Sequence, residues 1–248
     1  MIPKIIHQTW KTTDIPNEWK DAVYACKTLH SDFNYILWTD ETMDSFVKNE
    51  YPHFYKTYTS YRHVIQRCDA FRYLVLYTYG GIYLDMDISC KKNLSDLLQY
   101  DIVLSKSSNV NSFTNAFFMA VPQHPFLKYC IDQLPSHMHQ YQYFGKHMHV
   151  MYSTGPLFLT NRVSEYGPIK NEYHLTKQEY AGNCTVCNES TCTGGVYFTH
   201  IKGQTWNEMD SLFYNFCLCN KYLLLMIVFI IVFRVRIKKY LFKSKNSK

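Results

Sequence analysis

The chain has 248 residues, of which 47% are hydrophobic and 19% charged, with only 9 Gly and 8 Pro. This composition excludes a disordered, collagen-like or low-complexity protein. The last fifteen residues carry seven Lys and Arg and no acidic residue, so subtracting them from the formal net charge of +6 leaves −1 for residues 1–233. Because residues 1–233 have no excess of basic residues, they lack the positive charge that binds phosphate backbones, and we expect no nucleic-acid partner.

Short apolar runs alternate with helical stretches along the first half of the chain, which is the pattern of an α/β protein. The predicted strands are, in chain order, Lys4–Gln8, Tyr35–Trp38, Ile82–Leu84, Ile102–Leu104 and Phe117–Ala120. The predicted helices are 17–30, Cys68–Tyr79 and Pro125–Leu134. The pair Gly80-Gly81 ends the second of them. From about residue 140 to residue 190, aromatic, histidine and polar residues mix without a period, and no element is predicted there.

The most informative stretch runs from Asp69 to Asp87. Asp85 and Asp87 directly follow an apolar strand, and ligands of α/β sheets bind beyond the carboxyl ends of strands. A hard divalent ion held by one or two carboxylates usually completes its shell with phosphate oxygens. Asp69 and Arg72 lie at i and i+3 on the preceding helix, so they share a face that can reach the same pocket. This arrangement indicates a diphosphate-bearing substrate, although a lone D-x-D is also common in solvated turns.

Five motifs, in order along the chain, resemble the GT-A glycosyltransferases with a sugar-binding region containing DXD, the family of the yeast-type initiating α-1,6-mannosyltransferases. They are Ile2–Thr12, Tyr35–Glu41, Ile65–Ile88, Val150–Thr160 and Tyr197–Trp206. Within this family the chain most resembles the catalytic subunits of mannosyl-inositol-phosphorylceramide synthases. The resemblance implies a fold of the α/β class with a GT-A-type, Rossmann-like nucleotide-sugar-binding domain.

The resemblance also implies roles for the residues of its central motif. Asp87 would bind Mn2+ or Mg2+ directly, and Asp85 would contact the metal shell and the nucleotide ribose. Asp69 and Arg72 would hold the donor sugar and its diphosphate. The predicted catalytic residues are therefore Asp85, Asp87 and Arg72.

Two further motifs supply the rest of the predicted site. His200 and Trp206 fall in an H-x-x-x-x-[ST]-W element that closes over the donor in the family, where His200 would be a further metal ligand. Trp10 and Gly81 complete the predicted donor-binding set, the alternative for Trp10 being a core aromatic residue. Gln204-Thr205 stand where the family usually has Gly-Ser or Ser-Ser.

The C-terminus combines an apolar run with a basic tail. Tyr222–Phe233 is uninterrupted for twelve residues, whereas a bilayer span needs about 20. Extension back to Leu212 gives twenty-two residues but includes Asn215, Asn220 and Lys221. We predict a catalytic domain over residues 1–210, a membrane segment over 211–233 and a basic tail over 234–248, the alternative being a buried core helix. The positive-inside rule places the tail in the cytoplasm, yet no signal peptide precedes the first strand, so the orientation stays open.

The nine cysteines do not indicate a disulfide framework in a chain of this length. Four scattered ones are predicted to be small core hydrophobes, namely Cys26, Cys68, Cys90 and Cys130. Cys184, Cys187 and Cys192 cluster, but their spacing fits no common zinc module. A loop with a local disulfide or with free thiols is the favoured interpretation.

Together, these features predict a metal-dependent, retaining glycosyltransferase. Its donor would be a nucleotide sugar, with GDP-mannose favoured, and its acceptor a membrane lipid such as inositol phosphorylceramide. The alternatives are a transferase acting on a protein or polysaccharide glycan, and a non-catalytic, membrane-anchored sugar-nucleotide-binding partner of another transferase. A regulatory membrane subunit and an endomembrane or Golgi location in a eukaryote are further expectations from the resemblance.

Overall fold

A mixed α/β sheet organises the first part of the chain in the computed structural model, which describes residues 1–107, 112–188, 193–201, 203 and 206–245. The strands within these residues are β1 (Ile5–Thr9), β2 (Asn34–Trp38), β3 (Gly81–Leu84), β4 (Ile88–Cys90), β5 (Ile102–Lys106), β6 (Phe113–Ala120), β7 (Glu172–Leu175) and β8 (Phe198–His200). The larger sheet has the strand order β2-β1-β3-β6-β5-β7, and β4 pairs with β8 in a separate small sheet. β1 is parallel to both of its neighbours, whereas β6 is antiparallel to β3 and to β5.

Helices cover both faces of the larger sheet. In the first unit, Met1–Trp206, they are α1 (Asn17–Leu29), α2 (Asp40–Glu50), α3 (Pro52–Ser60), α4 (Val64–Tyr79), α5 (Pro125–His137), α6 (Lys146–Ser153), α7 (Pro156–Tyr166) and α8 (Lys177–Tyr180). Successive strand residues point to opposite faces. Tyr83 and Phe118 accordingly pack with α4 in one core, and Leu84 and Phe117 pack with Cys26 of α1 in the other. Cover on both sides of the sheet explains why β3, with the sequence GIYL, is an unbroken apolar run.

All five predicted strands and all three predicted helices are present, with ends shifted by a few residues. The helix predicted from Cys68 begins at Val64 instead, because His63 and Gln66 form a reciprocal cap there. Sequence reasoning missed α2, which Thr39 caps, as well as α3 and β4, and it predicted none of the elements from α6 to β8. The α/β class predicted from the pattern is confirmed.

The prediction for two of the cysteines was wrong. Cys26 and Cys90 are not free core residues but form a disulfide that joins α1 to β4. Their separation of 64 residues hid the pairing, because the sequence alone does not bring α1 and β4 together. Cys184 and Cys187 are disulfide-bonded as well, which excludes zinc ligation by these two thiols. Cys192 lies outside the described residues.

The second unit, Asn207–Lys248, contains α9 (Met209–Cys219) and α10 (Lys221–Lys245). Asn220 ends α9, so the continuous membrane helix predicted over 211–233 is not confirmed. Among the described residues, no single helix has both the length and the apolar composition for a membrane span. The pair Met209–Cys219 and Lys221–Arg234 meets these criteria only when taken together, with a bend of 75° between its members. Large apolar side chains of α10, including Phe229 and Leu225, are exposed.

Candidate active site

The two aspartates of the D-x-D lie where the chain leaves one sheet and enters the other. The Asp85 amide donates to the Ala116 carbonyl of β6 (2.8 Å), which continues the pairing of β3 by one residue. Asp87 directly precedes β4, and its carbonyl accepts from the Ile201 amide just after β8 (2.8 Å). Both carboxylates are only partly exposed. The turn is therefore fixed at both ends by backbone hydrogen bonds.

Arg72 joins the carboxylates of α4 and of the D-x-D turn. Its Nη2 lies 3.1 Å from Asp69 Oδ1 and 3.3 Å from Asp85 Oδ1. Its Nη1 donates to the Asn115 carbonyl (2.7 Å), and the guanidinium lies over the ring of Tyr83. The Arg72 side chain is only 5% exposed. Because a guanidinium is always charged, it offsets the negative charge of the two buried aspartates.

Asp69 is held by hydrogen bonds from distant parts of the chain. Its Oδ1 accepts from the Asn115 side-chain amide (2.9 Å), and its Oδ2 accepts from the Thr154 hydroxyl (3.0 Å). Thr154 follows α6, and a Cβ atom added to Gly155 would lie 3.4 Å from the same Oδ2. Asp69 therefore links α4, β6 and the α6–α7 junction at one point.

A chain of hydroxyl groups orients Asp85. The Tyr83 hydroxyl donates to Asp85 Oδ1 (2.9 Å) and lies 2.9 Å from the Thr9 hydroxyl at the end of β1. Since the Tyr83 proton is used by the carboxylate, Thr9 donates to the Tyr83 oxygen. Sequence reasoning did not single out Tyr83 or Asn115, and it placed Thr154 on the acceptor side from the family resemblance rather than beside Asp69. The sequence feature that could have identified Tyr83 is its position two residues before Asp85. This spacing places Tyr83 on the strand face opposite to the apolar Ile82 and Leu84.

Burial raises the pKa values of all three carboxyl groups. It raises the pKa of Asp69 to about 6, although Arg72 acts in the opposite direction. Burial and then the neighbouring charge of Asp85 raise the pKa of Asp87 to about 7. Burial also raises the pKa of Asp85, against the effect of Arg72. Ionising all three carboxyl groups together costs free energy, and a bound cation would offset this cost.

The donor set at the turn fits a hard divalent cation. Asp85 Oδ1 is used by Tyr83 and Arg72, which leaves its second oxygen for a ligand. Among the described residues no side chain donates a hydrogen bond to Asp87, and the charge of Arg72 offsets only part of the effects of burial and of Asp85, which raise the pKa of Asp87. Carboxylate oxygens are the ligands that Mg2+ and Mn2+ prefer. Among the described residues, however, no three His, Cys, Asp or Glu side chains lie close enough to hold a metal together.

His200 lies beside the turn but is not grouped with its carboxylates. It pairs with Ile88 across the small sheet, and its ring packs edge-on against Tyr180 at 4.7 Å. Burial lowers the pKa of His200. Its Nε2 is buried without a hydrogen-bond partner among the described residues. Metal binding by His200 stays a prediction.

Gly203 is a residue of the site that sequence reasoning missed. A Cβ atom built on it would overlap the carboxylate of Asp87. Only glycine therefore allows the segment after β8 to pass this close to the D-x-D turn. The signal in the sequence was a single glycine between His200 and Trp206. Gln204 and Thr205, the departures from the family pattern, lie outside the described residues.

The three remaining predicted donor-binding residues have different surroundings. The half-buried ring of Trp10 packs edge-on against Trp19 at 4.8 Å, in a cluster that contains Met86 of the turn. Trp206 stacks on His147 of α6 at 5.5 Å. Trp10 therefore borders the D-x-D turn, and Trp206 borders α6.

Gly81 lies at the end of β3 that is farther from Asp85, beside Ile5 of the parallel neighbour β1. Its φ is +97°, and an added Cβ atom would lie 2.6 Å from the Ile5 carbonyl oxygen. The neighbouring His7 accepts from Trp38 at Nδ1 (3.1 Å) and so donates from Nε2 to the Gly80 carbonyl (3.0 Å). This position gives Gly81 a packing role, and donor binding by this residue stays a prediction.

Comparisons with known proteins place this geometry in a family. The family model for a glycosyltransferase sugar-binding region containing a DXD motif matches residues 16–104. The fold is similar to that of the PaToxG glycosyltransferase, with a TM-score of 0.50 over 66% of this chain and 70% of that one, at 20% sequence identity.

Several curated proteins are similar in sequence. The mannosyl phosphorylinositol ceramide synthase SUR1 of Saccharomyces cerevisiae is 46% identical over 85% of this chain and 53% of its own length. Inositol phosphoceramide mannosyltransferase 3 of Schizosaccharomyces pombe is 46% identical over 64% of this chain and 44% of its own. An uncharacterized glycosyltransferase of Acanthamoeba polyphaga mimivirus is 29% identical over 92% of both chains. The chain spans about half the length of the yeast relatives it matches. Residues 16–104 are similar to the glycosyltransferases whose sugar-binding region contains a DXD motif, the family that the sequence resembles.

Proposed function

We propose that this chain is a metal-dependent glycosyltransferase that moves mannose from GDP-mannose to inositol phosphorylceramide or a closely related membrane lipid. The observation that carries the proposal is the pair Asp85 and Asp87, held at the junction of the two sheets by Tyr83, Arg72 and backbone hydrogen bonds. The names of the yeast relatives, which are mannosyltransferases of inositol phosphoceramide, support the sugar and the acceptor class.

Asp87 is the direct metal ligand in this proposal, with the free oxygen of Asp85 as the second contact. When bound, Mn2+ or Mg2+ supplies a Lewis acid that neutralises charge on the leaving diphosphate. Arg72 acts as a positioning residue, because its two terminal nitrogens already contact Asp69, Asp85 and the Asn115 carbonyl. Contact between Arg72 and the diphosphate, expected from the sequence, stays a prediction. Trp10, beside Met86, is placed to border the donor.

The proposed reaction retains the configuration of the transferred sugar. The carboxylates described at the site are Asp69, Asp85 and Asp87. Asp69 is enclosed by Asn115, Thr154 and Arg72, and the other two are assigned to the cation. None of the three is then available as a nucleophile, which favours attack by the acceptor hydroxyl on the face that the diphosphate leaves.

The C-terminal unit supports a membrane location. The exposed apolar side chains of α10 form a surface of a kind that soluble monomers rarely present, and seven cations follow residue 233. Cations beside an apolar anchor favour anionic lipid surfaces by about 1 kcal/mol each. An enzyme held at the membrane meets a lipid acceptor at high effective concentration.

The Cys26–Cys90 disulfide bears on the orientation that the sequence left open. Disulfides persist in oxidising compartments such as the endoplasmic reticulum lumen and the cell exterior. A lumenal catalytic domain with the basic tail in the cytoplasm satisfies both the disulfide and the positive-inside rule. We therefore place the site on the lumenal side of an endomembrane such as the Golgi.

The test uses the full chain reconstituted in vesicles that contain inositol phosphorylceramide, with Mn2+ and either GDP-mannose, UDP-galactose or UDP-N-acetylglucosamine. We expect a mannosylated lipid only with GDP-mannose, detected by mass spectrometry. Asp87→Asn should abolish the product, whereas Asp132→Asn, at an exposed acid paired with Lys128 on α5, should not. Donor binding without any lipid product would favour a glycan acceptor or a non-catalytic role, and the absence of both binding and product would overturn the proposal.

A further inference from the structure

The loop between α5 and α6 presents aromatic side chains to the solvent. Within this loop, residues 139–145, Tyr143 is 90% exposed, Phe144 is 70% exposed and Tyr141 is 40% exposed. Three large aromatic residues within four positions form a patch rather than isolated surface residues. Patches of this kind on a protein surface mark contact with another molecule or with a membrane.

The backbone holds these side chains outward in two successive turns. The Gln142 amide donates to the His139 carbonyl (3.2 Å), and the Phe144 amide donates to the Tyr141 carbonyl (3.0 Å). Tyr141 has a φ of +56°, which non-glycine residues seldom adopt, and its ring packs on Tyr152 of α6 at 4.3 Å. The ring of Phe144 in turn packs on that of Tyr141 at 5.6 Å. The exposed tip is thus anchored by specific contacts.

The charge around the loop is suited to a lipid surface. No Asp or Glu occurs from residue 133 to residue 164, and Lys146 directly follows the loop. On a second element, the charge of Arg62 acts on His149 of α6. Tyrosine has an apolar ring and a polar hydroxyl, which suit the boundary between lipid headgroups and acyl chains. Nearby cations add attraction to anionic headgroups.

Helix α6 connects this loop to the catalytic site. It starts at Lys146, next to the loop, and its C-cap residue Thr154 donates to Asp69. Eight helical residues span about 12 Å, so the loop and Asp69 lie at opposite ends of one short helix. His147, in the first turn of α6, stacks on Trp206. A membrane that contacts the loop would therefore lie within a lipid headgroup's reach of the site.

We propose that Tyr141, Tyr143 and Phe144 insert into the headgroup region of the membrane that carries the acceptor, and that this contact presents the lipid headgroup to the site along α6. The inference rests on the proposed function for its catalytic meaning, because it assumes a lipid acceptor. It adds a second membrane contact, made by the catalytic unit itself. Vesicle binding alone cannot test it, since the apolar C-terminal unit is expected to bind vesicles in every variant.

The direct test is quenching by bromine-labelled lipid. Tyr143→Trp is introduced into the full chain, which is reconstituted in phosphatidylcholine and phosphatidylinositol vesicles with or without acyl-chain bromines. We expect the added tryptophan signal, relative to the parent chain, to be quenched. Tyr24→Trp is the matched control on α1, since Tyr24 is 71% exposed and lies far from the loop in sequence; its signal should not be quenched. Equal fluorescence from Tyr143→Trp in both kinds of vesicle would overturn the proposal and leave the patch to a protein partner.

The catalytic test separates this proposal from the proposed function. For Tyr143→Ser with Phe144→Ser, we expect the KM for acceptor in vesicles to rise roughly tenfold, the effect of losing partial burial of two aromatic side chains. The KM for GDP-mannose and turnover of a detergent-solubilised acceptor should not change, and Tyr24→Ser should affect neither acceptor. Equal losses with both acceptors would contradict membrane docking. Quenching of the Tyr143→Trp signal in a chain that transfers no mannose would contradict the proposed function but would still support membrane contact by the loop.

Discussion

Gly203 packs directly against the carboxylate of Asp87, with no space for a Cβ atom between them. The contact brings the segment after β8 onto the D-x-D turn, 116 positions earlier in the chain. The position of this carboxylate, the proposed metal ligand, therefore depends on a residue that carries no chemistry of its own.

Replacing Gly203 by alanine tests whether the position of the Asp87 carboxylate depends on this glycine. In Gly203→Ala the added methyl group displaces the Asp87 carboxylate, and we expect Mn2+ affinity to fall about 10- to 100-fold, the range for residues that orient metal ligands. Titration calorimetry measures the affinity. Gly167→Ala is the control, because an added Cβ atom at Gly167 meets no atom within 4 Å, so any loss there comes from its φ of +82° and not from a contact. Unchanged Mn2+ binding in Gly203→Ala would show that Asp87 is not a ligand or that the segment yields freely.

Metal affinity should depend on pH through Asp87. Its carboxyl has a pKa of about 7, first because of burial and then because of the charge of Asp85. Since a cation requires the ionised form, protons compete with it. We expect Mn2+ affinity to rise between about pH 6 and pH 8, by up to roughly tenfold per unit below the pKa. Asp87→Asn should bind Mn2+ weakly at every pH in this range, and a flat profile for the parent chain would contradict the assignment.

The same shift predicts how the stability of the metal-free protein changes with pH. A carboxyl group whose pKa rises from 3.8 to about 7 on folding binds its proton more tightly in the folded state. Its favourable contribution to the free energy of unfolding is complete below about pH 4 and is lost as the pH rises through about 7. Thermal unfolding with chelator should therefore show Asp87→Asn gaining stability over the parent as the pH rises through that window. Parallel plots of melting temperature against pH for the two proteins would contradict the raised pKa of Asp87.

Arg72 should not be replaceable by lysine. A single ammonium cannot contact Asp69, Asp85 and the Asn115 carbonyl together. We expect Arg72→Lys to lose about 2 kcal/mol of unfolding free energy, as for lost hydrogen bonds to charged groups, and most of its transferase activity. Arg162→Lys is the matched control, since Arg162 is equally buried, contacts Glu165 and Gln133, and lies outside the site. A comparable loss of stability with full activity is expected there. Full activity in Arg72→Lys would mean that the Arg72 contacts serve folding alone.

The Cys26–Cys90 disulfide should stabilise the turn that precedes β4. Closing a loop of 64 residues contributes about 4 kcal/mol in the chain-entropy model. We expect the double variant Cys26→Ser and Cys90→Ser to be less stable by an amount of this order in urea unfolding. Reduction with dithiothreitol should destabilise the parent chain much more than the double variant. Identical unfolding midpoints for the oxidised and reduced parent would exclude the bond from the folded protein.

Sequence reasoning located the parts of the site that lie close together in the chain. Asp69 and Arg72 lie on one helix, and Asp85 and Asp87 lie in the turn after the next strand. Helical spacing and the end of an apolar run were therefore enough to associate them. Asn115 and Thr154 contact Asp69 from 46 and 85 residues away. No local pattern distinguishes Asn115 from other polar residues, and only the order of strands in the sheet brings it to α4. Thr154 falls in a motif of the family resemblance, but its contact with Asp69 depends on how the end of α6 packs.

Helix α6 escaped prediction for a similar physical reason. α6 contains two histidines and two methionines among its eight residues, and it buries His147, His149 and Ser153 rather than an apolar stripe. Its polar buried face is satisfied by contacts such as the hydrogen bond between His149 and the Met138 carbonyl. Hydrophobic periodicity cannot find a helix of this kind. At the C-terminus, composition indicated an apolar span but not the break at Asn220, so the membrane segment stays a prediction.

The D-x-D turn connects two sheets, because β3 belongs to the larger one and β4 to the pair with β8. The larger sheet fixes the backbone of Asp85 through Ala116, and the small sheet fixes that of Asp87 through Ile201. The relative orientation of the two carboxylates consequently depends on both sheets. In the proposed metal site, substitutions in the small sheet that touch neither carboxylate would then change cation affinity by moving Asp87 relative to Asp85, without changing either acid.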